Sequence, residues 1–353
     1  MSVPSSMTTA LRAAMTLAIS GAGGFVGTTM GLPAGWIMGG AIAVSAAGLL
    51  GAPILLPDRV RDLGFILIGL SMGANVAPDS LSLLPQWPIT LLALVAELVL
   101  IVTITGWALS RLFGLDKGTA YLSSFPGHLA FIIGMTSAGI GDARMIVIIQ
   151  TIRIAVLTIA VPIGTMLLPI AHFPPGAAPT VMSLATLLVL LVACALAGWG
   201  FARLKVPAGW VLGAMAVSTV GKLGGFYDAG LPPIVVILAF VAAGSLLGSR
   251  FAVISRSEFL SAAKGGFIAT GIAVSITTFV AFCASLFVDM PYGQIWVGLA
   301  PGALEGMGAL GIALGYDTAF VAAHHVIRLL LLSFAIPAVV LMIRQLEKRA
   351  ASQ

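Results

Sequence analysis

The sequence predicts an all-α polytopic membrane protein. It is expected to be built from two inverted-topology repeats of about five transmembrane helices each, plus one broken or re-entrant helix per repeat. Three observations predict this: an apolar composition, an internal duplication, and positive charges distributed oppositely in matching loops. The 353-residue chain is 59% hydrophobic and 8% charged, whereas soluble domains carry about 25% charged residues, too great a difference for a water-facing surface. The mean hydropathy of +1.13, 42 Gly and 19 Pro agree, because membrane helices carry more of both residues than soluble ones. At roughly 20 residues per span, the length holds about ten to twelve membrane segments and leaves no room for a sizeable soluble domain.

The duplication is read from residues that seldom recur by chance. Pro33-Ala34-Gly35-Trp36 returns as Pro207-Ala208-Gly209-Trp210, an offset of 174. At an offset of 175, Gly69 and Gly73 meet Gly244 and Gly248, Pro126-Gly127 meets Pro301-Gly302, Asp142 meets Asp317, Arg153 meets Arg328, and Pro162 meets Pro337. The repeats are accordingly 1–175 and 176–353. Residues 9–30 have the look of a signal peptide, yet they stand where 183–204 stand in the second half, and they read as a retained first span.

Apolar runs and breakers divide each half into six pieces. In the first half these are about 9–29, 34–51, 63–77, 87–110, 119–140 and 144–169; in the second, about 180–202, 208–221, 234–249, 265–287, 292–314 and 318–343. Several are too short for a straight span. The fifth piece of each half carries the Pro-Gly pair, followed by a glycine-containing break near Gly139 and Gly141 or Gly315, which suggests a broken or re-entrant helix. If that piece re-enters, five spans per half make the repeats inverted, and matching loops lie on opposite sides. The loop with Arg250, Arg256 and Lys264 has a counterpart at 78–86 without Lys or Arg, and the loop with Arg111 and Lys117 has one at 288–292. That opposite bias is what inversion requires under the positive-inside rule. The threading also places Arg12, Arg59, Arg61, Arg203, Lys205, Arg344, Lys348 and Arg349 inside, Lys222 outside, and Arg144, Arg153 and Arg328 at or within the membrane. Both termini are then cytoplasmic.

A net charge of +5 could signal nucleic acid, but the basic residues are scattered and suit an acidic membrane surface better. Cys194 and Cys283 lie far apart in apolar runs and read as small buried hydrophobes rather than as a disulfide or metal site. The stripes Gly23, Gly27 and Gly31, Gly35 with Gly39, Gly69 with Gly73, and Gly244 with Gly248 read mainly as close helix contacts.

The ionisable residues within spans are the candidate site. An unpaired Arg at mid-bilayer costs about 2.5–3.5 kcal/mol on insertion scales, so Arg153 and Arg328, which are repeat mates near mid-depth, need a compensating partner. Two readings stay open: guanidinium groups satisfied by backbone carbonyls at a broken helix, or groups facing a watery cavity and an anionic substrate. Asp317, His324 and Arg328 fall on one helical face within about 20°, and Asp142 with Arg153 repeats the outer spacing. Gln150 and His325 occupy the same position, one turn before each Arg, and either His324 or His325 is a candidate pH-sensitive group. Pro126-Gly127 and Pro301-Gly302 are expected to start half-helices whose free N–H groups favour anions. Paired broken helices in two inverted halves point to a transporter's binding site. Glu305 follows Pro301-Gly302 but is matched by Ala130, and His128 is matched by Ala303, so one half-site is expected to bind substrate and the other to serve as scaffold or proton path. Glu97, whose mate is Ile272, is either a proton site or the partner of an arginine. Glu97, Asp317 and Glu305 are the candidates for proton or ion coupling.

The run Ala300-Pro301-Gly302-Ala303-Leu304-Glu305-Gly306-Met307, then Gly315-Tyr316-Asp317 and His324-His325-Val326-Ile327-Arg328-Leu329, resembles the signature of the bacterial AbrB-type membrane protein family. Pro126-Gly127-His128-Leu129 through Asp142 to Arg153 is its degenerate copy, and with the Pro-Ala-Gly-Trp repeats the resemblance spans nearly the whole chain. Ala303 stands where a second Gly is expected, and Gly306 where a polar residue or Glu is expected. The soluble DNA-binding protein of the same name looks unrelated. Members of the family have been labelled ammonia monooxygenases or regulators of gene expression, and have also been treated as transporters. The resemblance implies a bacterial inner-membrane location.

The reading that follows is a secondary transporter of a small anionic organic solute by alternating access, not an enzyme. A proton or sodium gradient is its expected drive, because no nucleotide-binding glycine loop occurs. Its partners are a small-molecule substrate and membrane lipid, with a homodimer as a candidate assembly, no nucleic acid and no cofactor. The alternatives are a membrane regulator or sensor without transport, and a membrane-bound monooxygenase. The last needs clustered imidazole or thiolate ligands, whereas the chain has four His, of which only His324 and His325 are close in sequence.

Overall fold

The computed structural model describes residues 6–32, 34–76, 84–127, 129–136, 139–166 and 180–351. Pro33, His128, most of the loop 78–86, and the boundary between the repeats lie outside the described residues. Fifteen α-helices occur among those described: Ser6–Thr29 (α1), Gly35–Leu49 (α2), Asp58–Ala74 (α3), Trp87–Leu100 (α4), Gly106–Phe113 (α5), Lys117–Ser124 (α6), Leu129–Thr136 (α7), Ala143–Met166 (α8), Leu184–Arg203 (α9), Gly209–Leu223 (α10), Pro233–Ser249 (α11), Arg256–Ser285 (α12), Tyr292–Leu299 (α13), Leu304–Leu314 (α14) and Thr318–Ala351 (α15). A π-helical turn, Ile101–Thr105, carries α4 into α5. A parallel bridge between Val181 and Gly230 is the single β-type pairing among the described residues.

Seven of the described helices are long and apolar enough to cross a membrane. Their outer faces carry large apolar side chains: on α9, Leu188, Val189, Val192 and Leu196 are exposed, and on α12, Phe267, Phe279 and Phe282. Exposed apolar surface on this scale fits a lipid surround and not water. The protein is therefore an all-helical, polytopic membrane protein. The helices α2 and α10 have 15 residues each, about 22 Å of helix, which is short of the roughly 30 Å hydrocarbon core. Helices α12 and α15 run further than the apolar runs imply, because their charged ends continue the helix beyond the apolar stretch.

The chain forms two compact units, and each takes helices from both halves of the sequence. The first comprises Met1–Leu84, Thr158–Ser255 and Leu304–Ala322; the second comprises Pro85–Leu157, Arg256–Ala303 and Ala323–Gln353.

In the first unit glycine sets the helix contacts. Gly23 and Gly27 of α1 lie against Gly39 and Gly35 of α2, with no space for a Cβ at the crossing. The Gly69–Gly73 stripe of α3 lies on α10, against Val211, Met215 and Ser218, and the Gly244–Gly248 stripe of α11 lies on α2, against Gly40, Ala41 and Val44. The third helix of each half thus packs on the second helix of the other half. Hydroxyls add to this packing: Ser218 Oγ of α10 donates to Leu70 O of α3 at 2.9 Å, and Ser20 Oγ of α1 donates to Val241 O of α11 at 2.8 Å. Gly31 differs from its stripe. It lies past the end of α1 at φ +73° with no neighbour around its Cβ position, so it serves the turn and not the packing.

The Pro-Ala-Gly-Trp echo is structural as well. Ala34 and Ala208 cap α2 and α10 in the left-handed region, at φ 52° and 53°, a conformation that costs a non-glycine residue about 1–2 kcal/mol. Trp36 packs on Gly24, and Trp210 packs on Gly198.

In the second unit Leu109, Ala120, Ile149 and Ala269 form a core joining α5, α6, α8 and α12. The fifth sequence piece of each half is interrupted, as α6 then α7 and as α13 then α14. Phe125 and Ala300, which precede the prolines, are extended, at ψ 126° and 132°, as the proline ring requires. The following glycine closes a three-residue turn: Gly127 N–H donates to Phe125 O at 3.1 Å, and Gly302 N–H donates to Ala300 O at 2.7 Å.

Candidate functional site

The carbonyls exposed by these two turns receive the buried arginines. Arg153, on α8 and 3% exposed, donates from Nη2 to Phe125 O at 2.9 Å and from Nη1 to Ser123 O and Ser124 O at 3.4 Å. Arg328, on α15 and 2% exposed, donates from Nη1 to Ala300 O at 2.6 Å and from Nη2 to Gly302 O. Phe125 and Ala300 are 175 positions apart, as are the two arginines, so the same contact is built twice. Each guanidinium sits at the carboxyl end of a half-helix, where a cation is favoured by the helix dipole. Of the two readings of these arginines, the carbonyl contacts are the ones observed. They do not exhaust the donors, since Nε of both Arg153 and Arg328 is buried without a hydrogen-bond partner among the described residues.

The neighbouring positions differ between the halves. Gln150 is buried and its amide donates to Leu122 O at 3.3 Å. Its mate His325 is fully buried, and neither ring nitrogen has a hydrogen-bond partner among the described residues. His324, also fully buried, meets Thr90 Oγ1 through Nε2 at 2.8 Å and the edge of Trp87 at 6.0 Å between ring centroids. Because the Thr90 hydroxyl donates its one proton to Trp87 O at 2.9 Å, it is the acceptor for His324, whose Nε2 is assigned the proton.

Glu97 lies in the last turn of α4, one turn before the π-helical segment, and is buried. Its Oε1 accepts from the Thr277 hydroxyl of α12, while Oε2 is buried without a hydrogen-bond partner among the described residues. The carboxylate interacts at Coulombic range with Arg328, and Arg328 in turn with Arg153.

Arg153, Arg328, Gln150, His324, His325, Glu97, Pro126, Gly127, Pro301 and Gly302 therefore all belong to the second unit. The remaining residues singled out in the sequence have other contacts, Asp142 within the second unit and Asp317 and Glu305 within the first. Asp142 caps α8: its Oδ1 accepts from Arg144 N–H at 2.8 Å and Met145 N–H at 3.2 Å. Asp317 likewise begins α15, accepting from Ala319 N–H at 2.9 Å, and belongs to the first unit. The shared Asp-to-Arg spacing thus measures from a helix cap to a mid-helix position. Glu305, also in the first unit, forms an ion pair with Arg250 at 3.0 Å. His128 lies outside the described residues.

Sequence reading does not find Thr277 or Thr90, nor the pairing of the loop residue Arg250 with Glu305. Hydroxyls inside apolar runs usually bond their own helix, and nothing in the spacing links Thr277 to Glu97 across 180 positions. The acceptor carbonyls are legible only indirectly, through the Pro-Gly pairs that break the helices.

Comparison with known proteins adds a family. A family model described as "Transition state regulatory protein AbrB" matches residues 36–344. The "Uncharacterized protein YhjN" of Bacillus subtilis (strain 168) is 23% identical over 351 residues, covering 91% of this chain and 90% of that protein. The "Putative regulator AbrB" of Escherichia coli (strain K12) is 26% identical over 325 residues, covering 87% of this chain and 89% of that protein.

Proposed function

The chain belongs to the AbrB family, and on that premise we propose that it is a secondary transporter of a small anionic organic solute. It works by alternating access, driven by a proton or sodium gradient, and is not an enzyme. The observation that carries the reading is charge balance inside the second unit. Among the described residues of this unit, two buried guanidinium groups stand with one buried carboxylate, Glu97, and each guanidinium retains an Nε–H without a partner among those residues. An excess buried cation is costly unless an anion completes it. The buried His325 ring adds further hydrogen-bonding capacity. Paired breaks in corresponding positions of a duplicated membrane chain are the setting in which transporters bind substrate. The proposed topology has inverted repeats, cytoplasmic termini and a bacterial inner-membrane location, which the loop charges support.

In proteoliposomes, Arg328→Ala is expected to abolish counterflow of a carboxylate chosen by a thermal-shift screen of the purified protein. Unchanged counterflow removes Arg328 from the site. The word "regulator" in the name of the Escherichia coli relative favours a second reading, a membrane sensor without transport. A solute-dependent partner in pull-down, with no flux in vesicles, selects that reading instead.

A further inference from the structure

The transport reading leaves open which ion drives the cycle and where it binds, and Glu97 addresses both. Its carboxylate has one oxygen held by Thr277 and the other buried without a hydrogen-bond partner among the described residues, in Coulombic range of Arg328. The elements around α4 supply few other ionisable groups. From α12, the stretch 265–282 has none, and Thr277 is what meets Glu97. The one ionisable side chain of α13 is Tyr292, whose hydroxyl donates to Thr278 O at 3.0 Å. The helix α15 supplies His324, engaged with Thr90, together with His325 and Arg328, and α8 supplies Arg153 through its interaction with Arg328. Arg328 thus has one anionic neighbour of its own, and a solute anion would compete with it.

We infer that Glu97 is the proton-binding carboxyl of the transport cycle, and that one proton and one solute charge bind together because both act on Arg328. Resting on the transport reading above, the step balances as follows. A proton from the aqueous phase adds to the Glu97 carboxylate and gives the neutral acid. Arg328 loses its internal counter-charge, and the solute carboxylate takes that place. Binding of either partner favours the other by the same factor, as linkage requires. With a monoanionic solute the pair moves without net charge, and sodium is not needed.

Two measurements on the full-length protein test this. Infrared difference spectra between wild type and Glu97→Gln should contain a carboxyl band that changes with pH; Glu97→Asp should restore such a band. Absence of a titrating Glu97 band overturns the inference whether or not a substrate is known. Equilibrium binding with pyruvate and succinate as probes should lose affinity about tenfold per pH unit above the Glu97 transition, with Glu97→Gln giving a flat profile and Glu97→Asp a sloped one. A flat wild-type profile, or a slope retained in Glu97→Gln, overturns the inference, as does binding that requires sodium at constant pH. If neither probe binds and no screened anion does, the transport reading fails, and the infrared result still decides whether Glu97 takes up a proton.

Discussion

In the first unit, helices meet backbone to backbone. Gly69 and Gly73 lie on α10, Gly244 and Gly248 lie on α2, and the hydroxyls of Ser218 and Ser20 bond carbonyls between α10 and α3 and between α1 and α11. In the second unit, the interior holds Arg153, Arg328, Glu97, His324 and His325, all buried, with several polar atoms unpartnered among the described residues. Both units draw on the same duplicated sequence, yet one has used the duplication to close gaps and the other to concentrate charge. The contrast separates residues that are sensitive because nothing larger fits from residues that are sensitive because their polar neighbours would be stranded.

The sharpest way to break that contrast is to overfill the first unit. Gly248→Leu directs a side chain at Val44 Cβ, 2.6 Å from where its own Cβ would stand, and at Ala41 O. Overpacking of this kind should destabilise by about 3 kcal/mol, read as a lower unfolding temperature in detergent. A variant as stable as wild type would show the crossing to be loose. A smaller effect is expected from Arg153→Gln, which withdraws donors from Ser123, Ser124 and Phe125 carbonyls. A loss of about 1–3 kcal/mol follows if those carbonyls stay dry, and an undiminished unfolding temperature would mean water already reaches them. Arg144→Ala is the control. Its bidentate pair with Glu258, at 2.7 and 2.8 Å, is largely exposed, and surface pairs contribute little and are screened by salt. The unfolding temperature and counterflow should both match wild type.

How much of this was legible in the sequence depends on whether a residue advertises its own geometry. Pro126-Gly127 and Pro301-Gly302 do, because proline fixes its own φ and the conformation before it, and the helix interruptions fall where these pairs stand. The apolar runs likewise mark the helices, and the Pro-Ala-Gly-Trp pairs mark the duplication. Ala34 and Ala208 give no such sign, since alanine is neutral about everything except the left-handed region it occupies here. The pairings Glu97–Thr277 and Arg250–Glu305 depend on which helices become neighbours, and helices with small-residue stripes carry no address for their partner. For the same reason the split into two units, each mixing both halves, could not be read from the repeat. Asp142 and Asp317 show the reverse problem: their spacing to the arginines repeats faithfully, and the carboxylates cap helices.

The crossing of α3 on α10 has a consequence for how the molecule is made. Until Gly209–Leu223 has been synthesised, the glycine stripe of α3 has no counterpart to rest on. At roughly 5–20 residues per second, the growing chain spends on the order of ten seconds with that stripe turned toward lipid. Assembly of the first unit is thus a late event in biogenesis, and a protein severed between its halves should rejoin only when both fragments are produced in the same cell.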